Sequence, residues 1–573
     1  MPPPDVIRLR LFTNGQEVSQ EHHVLSVVVT RALNRVPTAQ VVLQDGDLAA
    51  SDFPLSGQAL FAPGRELEIR AGYHDEEEVL FKGLVLRHAI RARRGARCTL
   101  TVECRDKAVK ATVGRRSAVY NDMTDSDILT ELLGRASVDA QVADTPVTHV
   151  QMVQVDVSDW DFLLERADAN GLVVRVDDGA VAVEKPDTSG APVTRLTFGQ
   201  DLFELEAETD ARHQWEATTG EAWDSSAQAL LTADGEEPAF TPPGNQSASE
   251  LAAVIGHGPA ALRHGGRLSE EELRAWASSR LLRSRMALVR GRAACQGDAR
   301  LKPGALVELA GVGERFSGNV YVTGVRHQIT LENWETEVQF GLSPESFRET
   351  LPVEPPPAAG LLPPFHGLQV GVVTALQDDP DGEERIQVRL PIVSADAPGV
   401  WARLALLDAG DGRGSVFRPE VGDEVVLGFI QQDPRDAVVL GMLHSSAMPS
   451  PLPASDENPQ KGFVTRSELK LLFDDEKKEL TLSTPGGNTL VLSDDAQGVR
   501  IEDANGNKLQ LSSDGITVES AGALTFKAQG DVSVEGVNVN VKASAQFKAE
   551  GSGGVEMSSS ATAVLKGSMV QIN

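Results

Sequence analysis

Apolar and polar residues alternate over a long distance near the end of the sequence. The stretch GDVSVEGVNVNVKASAQF, residues 530–547, keeps the alternation for some eighteen positions without a turn sequence. Strands of most proteins run about five or six residues before a turn. Val537, Val539 and Val541 lie two residues apart, a spacing that places their side chains on one face of an extended chain. The pattern predicts strands with one buried face.

Glycines divide this tail into segments of about eight residues, with intervals of 8, 9, 7, 8 and 6. Eight residues make only one side of a β-helix coil, which needs about three sides. Three identical chains wound together would supply the other two, so the tail is predicted to be an intertwined trimeric β-helix needle. The dividing glycines are Gly498, Gly506, Gly515, Gly522, Gly530 and Gly536. The predicted needle core contains Val532, Val534, Val537, Val539, Val541 and Phe547.

An antiparallel β-meander is the alternative interpretation of the same alternation. A meander made of tight hairpins favours Asn-Gly or Asp-Gly turns. Such turns occur at Asn505 and Asp514 and are absent from the sequence that follows. We therefore expect eleven segments of eight residues from Gly486 to Asn573, which would give a needle roughly 50 Å long at about 4.8 Å per layer.

Five short runs rich in β-branched residues lie between 367 and 446. They read LQVGVVTAL, RIQVRLP, VWARLALL, EVVLGFI and AVVLGML. Five strands in about eighty residues favour a small barrel of the OB-fold type. Proline-rich linkers, 352–366 and 447–461, are predicted on either side, and the needle domain is predicted to span 462–573.

Mixed helix and strand patterns fill residues 1–351. We expect one helix after Thr124 or Asp125, a second after Ser158, and a third after Ser269, where Glu272 completes a capping box. Residues 225–265 are rich in Ala, Gly, Pro and Ser and are expected to form a long surface excursion. The fold class is mainly β with an α+β hub.

Charge and cysteine content exclude several classes of function. Asp and Glu number 83 against 53 Lys and Arg, a net charge of -30. Such a chain is not expected to bind nucleic acid or anionic membranes. Cys98 and Cys104 would lie roughly 20 Å apart in one strand, too far for a disulfide. We expect no signal peptide in MPPPDVIRLRLF and no transmembrane run.

The sequence resembles the VgrG spike proteins of contractile injection systems, which are relatives of the tailed-phage baseplate hub and its needle. The P-x-V-G-D-E sequence at 419–424 and the Asp-Pro turn at 433–434 are similar to the OB-domain signature of that family. SDWDFLLERADANGLVV (158–174) and residues 301–327 are similar to phage hub proteins. DANGNKLQLSSDGITVES (503–520) is similar to the phage needle repeat.

The resemblance implies a non-enzymatic central spike that works as a homotrimer. Its expected partners are the inner tube protein, baseplate proteins, a PAAR-like tip protein and effector cargo, with no nucleic acid. The tip protein is expected to dock on the end of the chain, at Met569, Val570, Gln571, Ile572 and Asn573; the alternative is an end that frays. We expect assembly in the bacterial cytoplasm, in a particle that is released or membrane-anchored. SDWDFLLERADANG lacks the more acidic segment common in type VI members, and no effector domain is expected after Asn573, so the extracellular phage-tail-like subtype is favoured.

Catalytic chemistry is not indicated by any motif. No G-x-S-x-G, H-E-x-x-H or P-loop sequence is present. The acidic run DDPDGEE, 378–384, lacks the spacing of a calcium loop and favours a hairpin turn. We predict no catalytic, cofactor-binding or metal-binding residues. The alternative function is a phage-like hub with envelope-degrading or glycan-binding activity.

Overall fold

A computed structural model describes residues 6–74, 76–94, 97–256, 258–351 and 353–572 of the protein. The chain divides into two units. The first comprises Met1–Pro364 with Gln431–Pro434, and the second comprises Phe365–Ile430 with Arg435–Asn573. Strands outnumber helices in both units, and the predicted fold class, mainly β with an OB-type barrel, is confirmed.

The described part of the first unit is built around a thirteen-stranded sheet. Its main path runs β14-β18-β21-β20-β3-β4-β7-β6-β5-β1-β2, and β19 joins β13 to β20. Val27, Val29 and Val41 are fully buried on one face of this sheet because alternate residues of each strand point inward. The strands are β1 (Ile7–Thr13), β2 (Gln16–Glu17), β3 (Val24–Ala32), β4 (Thr38–Gln44), β5 (Glu66–Tyr73), β6 (Glu76–Arg91), β7 (Thr99–Arg105), β8 (Arg116–Thr124), β9 (Asp139–Val142), β10 (Thr148–Val157), β11 (Val173–Asp177), β12 (Ala180–Glu184), β13 (Thr194–Thr197), β14 (Leu202–Thr209), β15 (Thr218–Asp224), β16 (Ala229–Asp234), β17 (Ala260–His264), β18 (Val289–Gln296), β19 (Leu306–Ala310), β20 (Gly318–Thr330) and β21 (Trp334–Phe340).

The three predicted helices are present and begin at the predicted caps. Thr124, Ser158 and Ser269 each accept a hydrogen bond from the backbone N–H three residues later. The expected excursion over 225–265 is wrong, because this range contains β16, β17 and a further helix whose capping box is Ser247 with Glu250. The helices are α1 (Asp125–Arg135), α2 (Asp159–Ala169), α3 (Ala248–Ile255), α4 (Glu270–Met286) and α5 (Phe347–Thr350).

A closed five-stranded barrel opens the second unit, and its strands are the five that the sequence predicts. The barrel order is β22-β23-β24-β28-β27. Ile386, Val388, Ala402, Val425 and Leu427 are fully buried inside it. The strands are β22 (Gln369–Ala375), β23 (Ile386–Arg389), β24 (Val400–Leu404), β25 (Ala409–Gly410), β26 (Arg413–Gly414), β27 (Glu424–Phe429) and β28 (Ala437–Met442), with β25 and β26 forming a small hairpin.

The two acidic motifs of the barrel have structural roles. Asp423 of the P-x-V-G-D-E sequence accepts a hydrogen bond from the Glu420 backbone at 2.8 Å, and Gly422 supplies the left-handed backbone that this turn requires (φ 99°). In the DDPDGEE run, Asp379 accepts from the side chain and backbone N–H of Arg385. That run connects β22 to β23, so the predicted hairpin turn is confirmed.

Seven antiparallel strands follow the barrel and pair only with their sequence neighbours in the range 460–519, which is described throughout. We call this sheet the meander. Its strands are β29 (Gln460–Val464), β30 (Lys470–Asp474), β31 (Glu479–Ser483), β32 (Thr489–Ser493), β33 (Gly498–Glu502), β34 (Lys508–Ser512) and β35 (Gly515–Glu519).

The meander corrects the prediction of eight-residue segments that begin at Gly486. Strands β30 to β34 begin nine or ten residues apart and reverse direction each time within one chain. Their loops contain left-handed residues that permit the reversal, at Lys478, Gly487, Gln497 and Gly506. Two of these four residues are not glycine, and only the turn at Asn505-Gly506 is visible in the sequence as an Asn-Gly or Asp-Gly pair.

The barrel and the meander are in contact within the second unit. Phe417 and Phe463 stack with ring centroids 5.1 Å apart, and Arg466 pairs with Glu420 at 2.9 Å. Beyond β35 the chain has no strand pairing in the described range 520–572. Every residue from Ala521 to Ile572 is exposed.

Candidate functional site: a surface for chain association

The meander has one face covered by apolar side chains. Directly opposed residues of antiparallel strands, and residues two apart on one strand, share a face of the sheet. The register therefore forms two adjacent rows. The first row contains Leu471, Leu482, Leu490, Ile501, Leu509 and Val518, and the second contains Phe473, Leu480, Leu492, Val499, Leu511 and Ile516.

The opposite face of the meander is more polar. On this face Thr481 lies opposite both Leu472 and Val491. The next two strands add Arg500 and Gln510 to the same row. Charged residues also stand at the strand ends, so the sheet is amphipathic. Such a sheet buries its apolar face against another layer when it is stable.

No second layer covers the apolar rows within the described part of the chain. Ile501 is 46% exposed and Leu482 is 43% exposed. A cleft of about 920 Å³ lies over the first row, with Leu482, Leu490 and Leu509 in its lining. Contiguous exposed apolar surface of this kind marks an interaction site.

The segment after β35, residues 520–572, which we call the tail, also exposes apolar side chains. The six predicted needle-core residues, Val532, Val534, Val537, Val539, Val541 and Phe547, are all exposed, from 54% at Val539 to 100% at Val537. Backbone N–H and C=O groups of an extended segment need hydrogen-bond partners when they are buried. The burial of these six side chains by neighbouring copies stays a prediction.

The predicted tip-docking residues form the last described part of the tail. Met569, Val570 and Ile572 are exposed, and so is Gln571, whereas Asn573 lies outside the described residues. Their role in docking stays a prediction. Alternation in the sequence predicts one apolar face for these strands but not its alignment into two rows within one chain, and the repeated Leu-x-Leu sequences of β31, β32 and β34 are its local signal.

A buried polar cluster in the first unit also escaped the sequence analysis. The Asp125 carboxylate accepts hydrogen bonds from Arg166 Nε at 2.6 Å, Asn170 Nδ2 at 2.8 Å and His149 Nε2 at 3.0 Å. His149 Nδ1 lies 3.3 Å from Glu272. The hydrogen bond to Asp125, followed by that to Glu272, raises the pKa of His149 to about 9.

This cluster connects four elements. Burial alone would raise the pKa of Asp125, but the hydrogen bonds from His149 and Arg166 hold it below its usual value. The imidazolium of His149 therefore lies between two carboxylates, one on α1 and one on α4. The arrangement stabilises the packing of the helices. Its carboxylates, Asp125 and Glu272, form ion pairs with His149 and Arg166.

Three protein-family models match successive parts of the chain. The family model described as the Alg8 N-terminal domain matches residues 3–331, more than half of the chain. The model described as the type VI secretion system/phage-baseplate injector OB domain matches 369–444, and the phage baseplate V C-terminal trimerisation domain matches 479–548. The chain belongs to the Alg8 N-terminal domain family and is a VgrG-like spike protein. The trimerisation match spans β31 to β35 and continues into the tail, so it contains the apolar rows of this VgrG-like spike protein except Leu471 and Phe473 on β30.

Individual proteins match this chain over a short part of its length or with low sequence identity. The type VI secretion system spike protein VgrG4b of Pseudomonas aeruginosa is 32% identical over 146 residues, which are 23% of this chain and 15% of that protein. The chain thus spans about one seventh of that relative's length. The 43 kDa tail protein of prophage MuSo2 from Shewanella oneidensis is 13% identical, with 59% of this chain and 99% of that chain covered and a TM-score of 0.44. A type VI secretion component from E. coli is 14% identical, with 76% and 99% covered and a TM-score of 0.38.

Neither a membrane-spanning helix nor a metal-binding cluster is present in the described ranges. No helix there combines the length and the apolar character needed to cross a membrane. The same residues contain no group of three or more His, Cys, Asp or Glu side chains placed to hold a metal ion.

Proposed function

We propose that the chain is the central spike of a contractile injection system, a trimeric hub that joins the inner tube and the baseplate to a membrane-piercing tip. One observation carries this proposal: the meander and the tail expose apolar faces that one chain cannot cover. Two further copies would cover them around a threefold axis. The matched trimerisation and injector OB domains support the same assembly.

The work of this spike is mechanical in our proposal, and the protein is not an enzyme. Contraction of the surrounding sheath would supply the energy, so the spike needs rigidity and threefold symmetry. The Asp125 cluster agrees with a structural role because its ionised groups bind one another. Effector cargo would travel with the spike or its tip.

The tip is proposed to be a separate, conical, PAAR-like protein. Met569 is 85% exposed and Ile572 is 86% exposed near the end of the chain. Three such ends around an axis would form a blunt face with apolar side chains and open strand edges. Open edges favour pairing with another chain, and a cone would cover them.

The extracellular, phage-tail-like subtype is the system that we favour. Support comes from the SDWDFLLERADANG segment, which lacks the more acidic sequence common in type VI members. Particles would assemble in the bacterial cytoplasm and then be released or anchored to a membrane.

Electron microscopy of particles from the source cell tests the proposal. Sheathed particles should carry a central spike at the baseplate, and removal of this chain should abolish assembled particles with a spike. Intact spiked particles in cells that lack the chain would contradict the proposal. Purified trimer should release no soluble fragments from peptidoglycan and should bind no glycan; either activity would favour the envelope-degrading or glycan-binding alternative.

A further inference from the structure

A second surface of the protein shares no residue with the apolar faces on which the trimeric proposal rests. A groove of about 1190 Å³ in the first unit is lined by side chains from β3, β4, β7 and β20. It is continuous with a cleft of about 530 Å³, because Thr323, Gln339, Gly341 and Ser343 line both. The groove alone exceeds the roughly 300–1,000 Å³ of a typical small-molecule site, so the combined surface suits an extended chain segment better.

Two arginines and two threonines form a row across the floor of this groove. Arg326 on β20 is opposite Thr30 on β3, Thr30 is opposite Thr38 on β4, and Thr38 is opposite Arg105 on β7. Opposed residues of neighbouring antiparallel strands present their side chains on the same face. Three strand spacings of about 4.8 Å separate the backbones of the two arginines by roughly 14 Å.

Three of the five arginines that line the groove lack an anionic partner among the described residues. Arg35, Arg105 and Arg326 are exposed and form no ion pair with any described residue. This is unexpected in a chain with 83 acidic and 53 basic residues. Arg283, which lines the same groove, is by contrast paired with Asp168.

The other charged side chains of the groove and the cleft are largely paired with one another. Arg31 binds Asp177 and Asp178, and in the adjoining cleft Arg290 binds Glu208 and Arg292 binds Glu206. The acidic side chains of the groove itself are Asp161, which accepts from Ser158, and the exposed Glu345.

We propose that this groove binds an extended, carboxylate-rich segment of a partner protein. A guanidinium group holds a carboxylate by two parallel hydrogen bonds, and the threonine hydroxyls between the arginines can donate to the backbone of the segment. An extended chain advances about 3.3 Å per residue, so carboxylates four residues apart would reach Arg326 and Arg105. A phosphate polymer fits less well, because the net charge of the chain is -30 and polymers of that kind need a broad basic surface.

Peptide binding to the full-length trimer tests this proposal. The probe is a fluorescein-labelled peptide of alternating Ser and Glu, eight residues long, and its control replaces each Glu with Gln. Fluorescence anisotropy should show binding of the Glu peptide alone, with affinity that falls as salt is raised. The double substitution Arg105→Gln and Arg326→Gln should weaken binding by roughly 100-fold, about tenfold for each guanidinium.

Arg65→Gln is the matched control, because Arg65 is an exposed arginine of the same unit outside the groove. It should leave the affinity unchanged. Arg105 and Arg326 are exposed, so their replacement should leave the circular dichroism spectrum unchanged. The proposal is overturned if the wild-type trimer does not bind the Glu peptide, if the Arg65→Gln and double variants weaken it equally, or if polyphosphate binds more tightly than the peptide and displaces it.

Discussion

Leu490 on β32 lies directly opposite Ile501 on β33, and within one chain Leu490 is only half-buried and Ile501 is exposed. The pair lies in the centre of the first apolar row of the meander. In the trimer that we propose, the same pair from each of three sheets would face the threefold axis. The meanders of the three chains would then pack into a core of three sheets.

Substitution Leu490→Asp is expected to prevent trimer formation. Three carboxylates would meet near one axis, and an unpaired buried charge costs at least about 3 kcal/mol. Gln510→Asp is the matched control, because Gln510 lies on the opposite face, next to Arg500. Light scattering should show a monomer for the first variant and a trimer for the second, and trimers for both would show that the apolar rows do not form the interface.

Val539→Asp and Val541→Asp are expected to disrupt the tail while the meander still holds three chains together. Both valines belong to the predicted buried face, where a charge is costly. Asn538→Asp and Asn540→Asp should be tolerated. Limited proteolysis should digest residues 520–572 rapidly only in the valine variants. Equal digestion at the two sets of positions would show that alternation in the tail does not mark a buried face.

The cluster around His149 predicts a pH-dependent contribution to stability. The pKa of His149 rises from 6.5 to about 9 on folding, so its contribution is complete below pH 6.5 and is lost as the pH rises through about 9. The difference in urea unfolding midpoint between wild type and His149→Gln, followed by tryptophan fluorescence, should therefore be larger at about pH 6 than at about pH 9.5. A Glu272→Gln background should reduce the difference, because one acceptor is lost. A difference that stays constant with pH would contradict this account.

Deletion of Met569 to Asn573 is expected to abolish binding of the tip protein and to leave the trimer intact. The meander lies some fifty residues earlier in the chain and supplies an independent interface. A pull-down with a purified PAAR-like protein compares the truncated and full-length trimers. Retained binding by the truncated trimer would show that docking does not use this end.

Local signals made part of the fold predictable from sequence. The barrel strands are short β-branched runs, and Ser269 with Glu272 marks the start of α4 by hydrogen bonds three residues apart. The same signal at Ser247 and Glu250 marks α3. Helix α3 was not predicted, because the surrounding residues are small and polar.

Other features depend on information that is not local. Alternation of apolar and polar residues is compatible with strands that pair within one chain or between chains. Pairing within one chain requires loops that reverse the chain direction. Lys478 and Gln497 adopt left-handed backbone there, although neither residue type favours it. The row from Arg326 to Arg105 joins strands that are distant in sequence, so no local pattern could reveal it.

The central claim is that three copies of the chain form one spike and that its tail folds only in that assembly. Light scattering of the full-length protein, combined with circular dichroism, tests this claim most directly. The account predicts a species of three times 61.2 kDa that is rich in β structure, and loss of tail protection when the trimer dissociates. A stable full-length monomer with a protease-resistant, β-structured tail would contradict it.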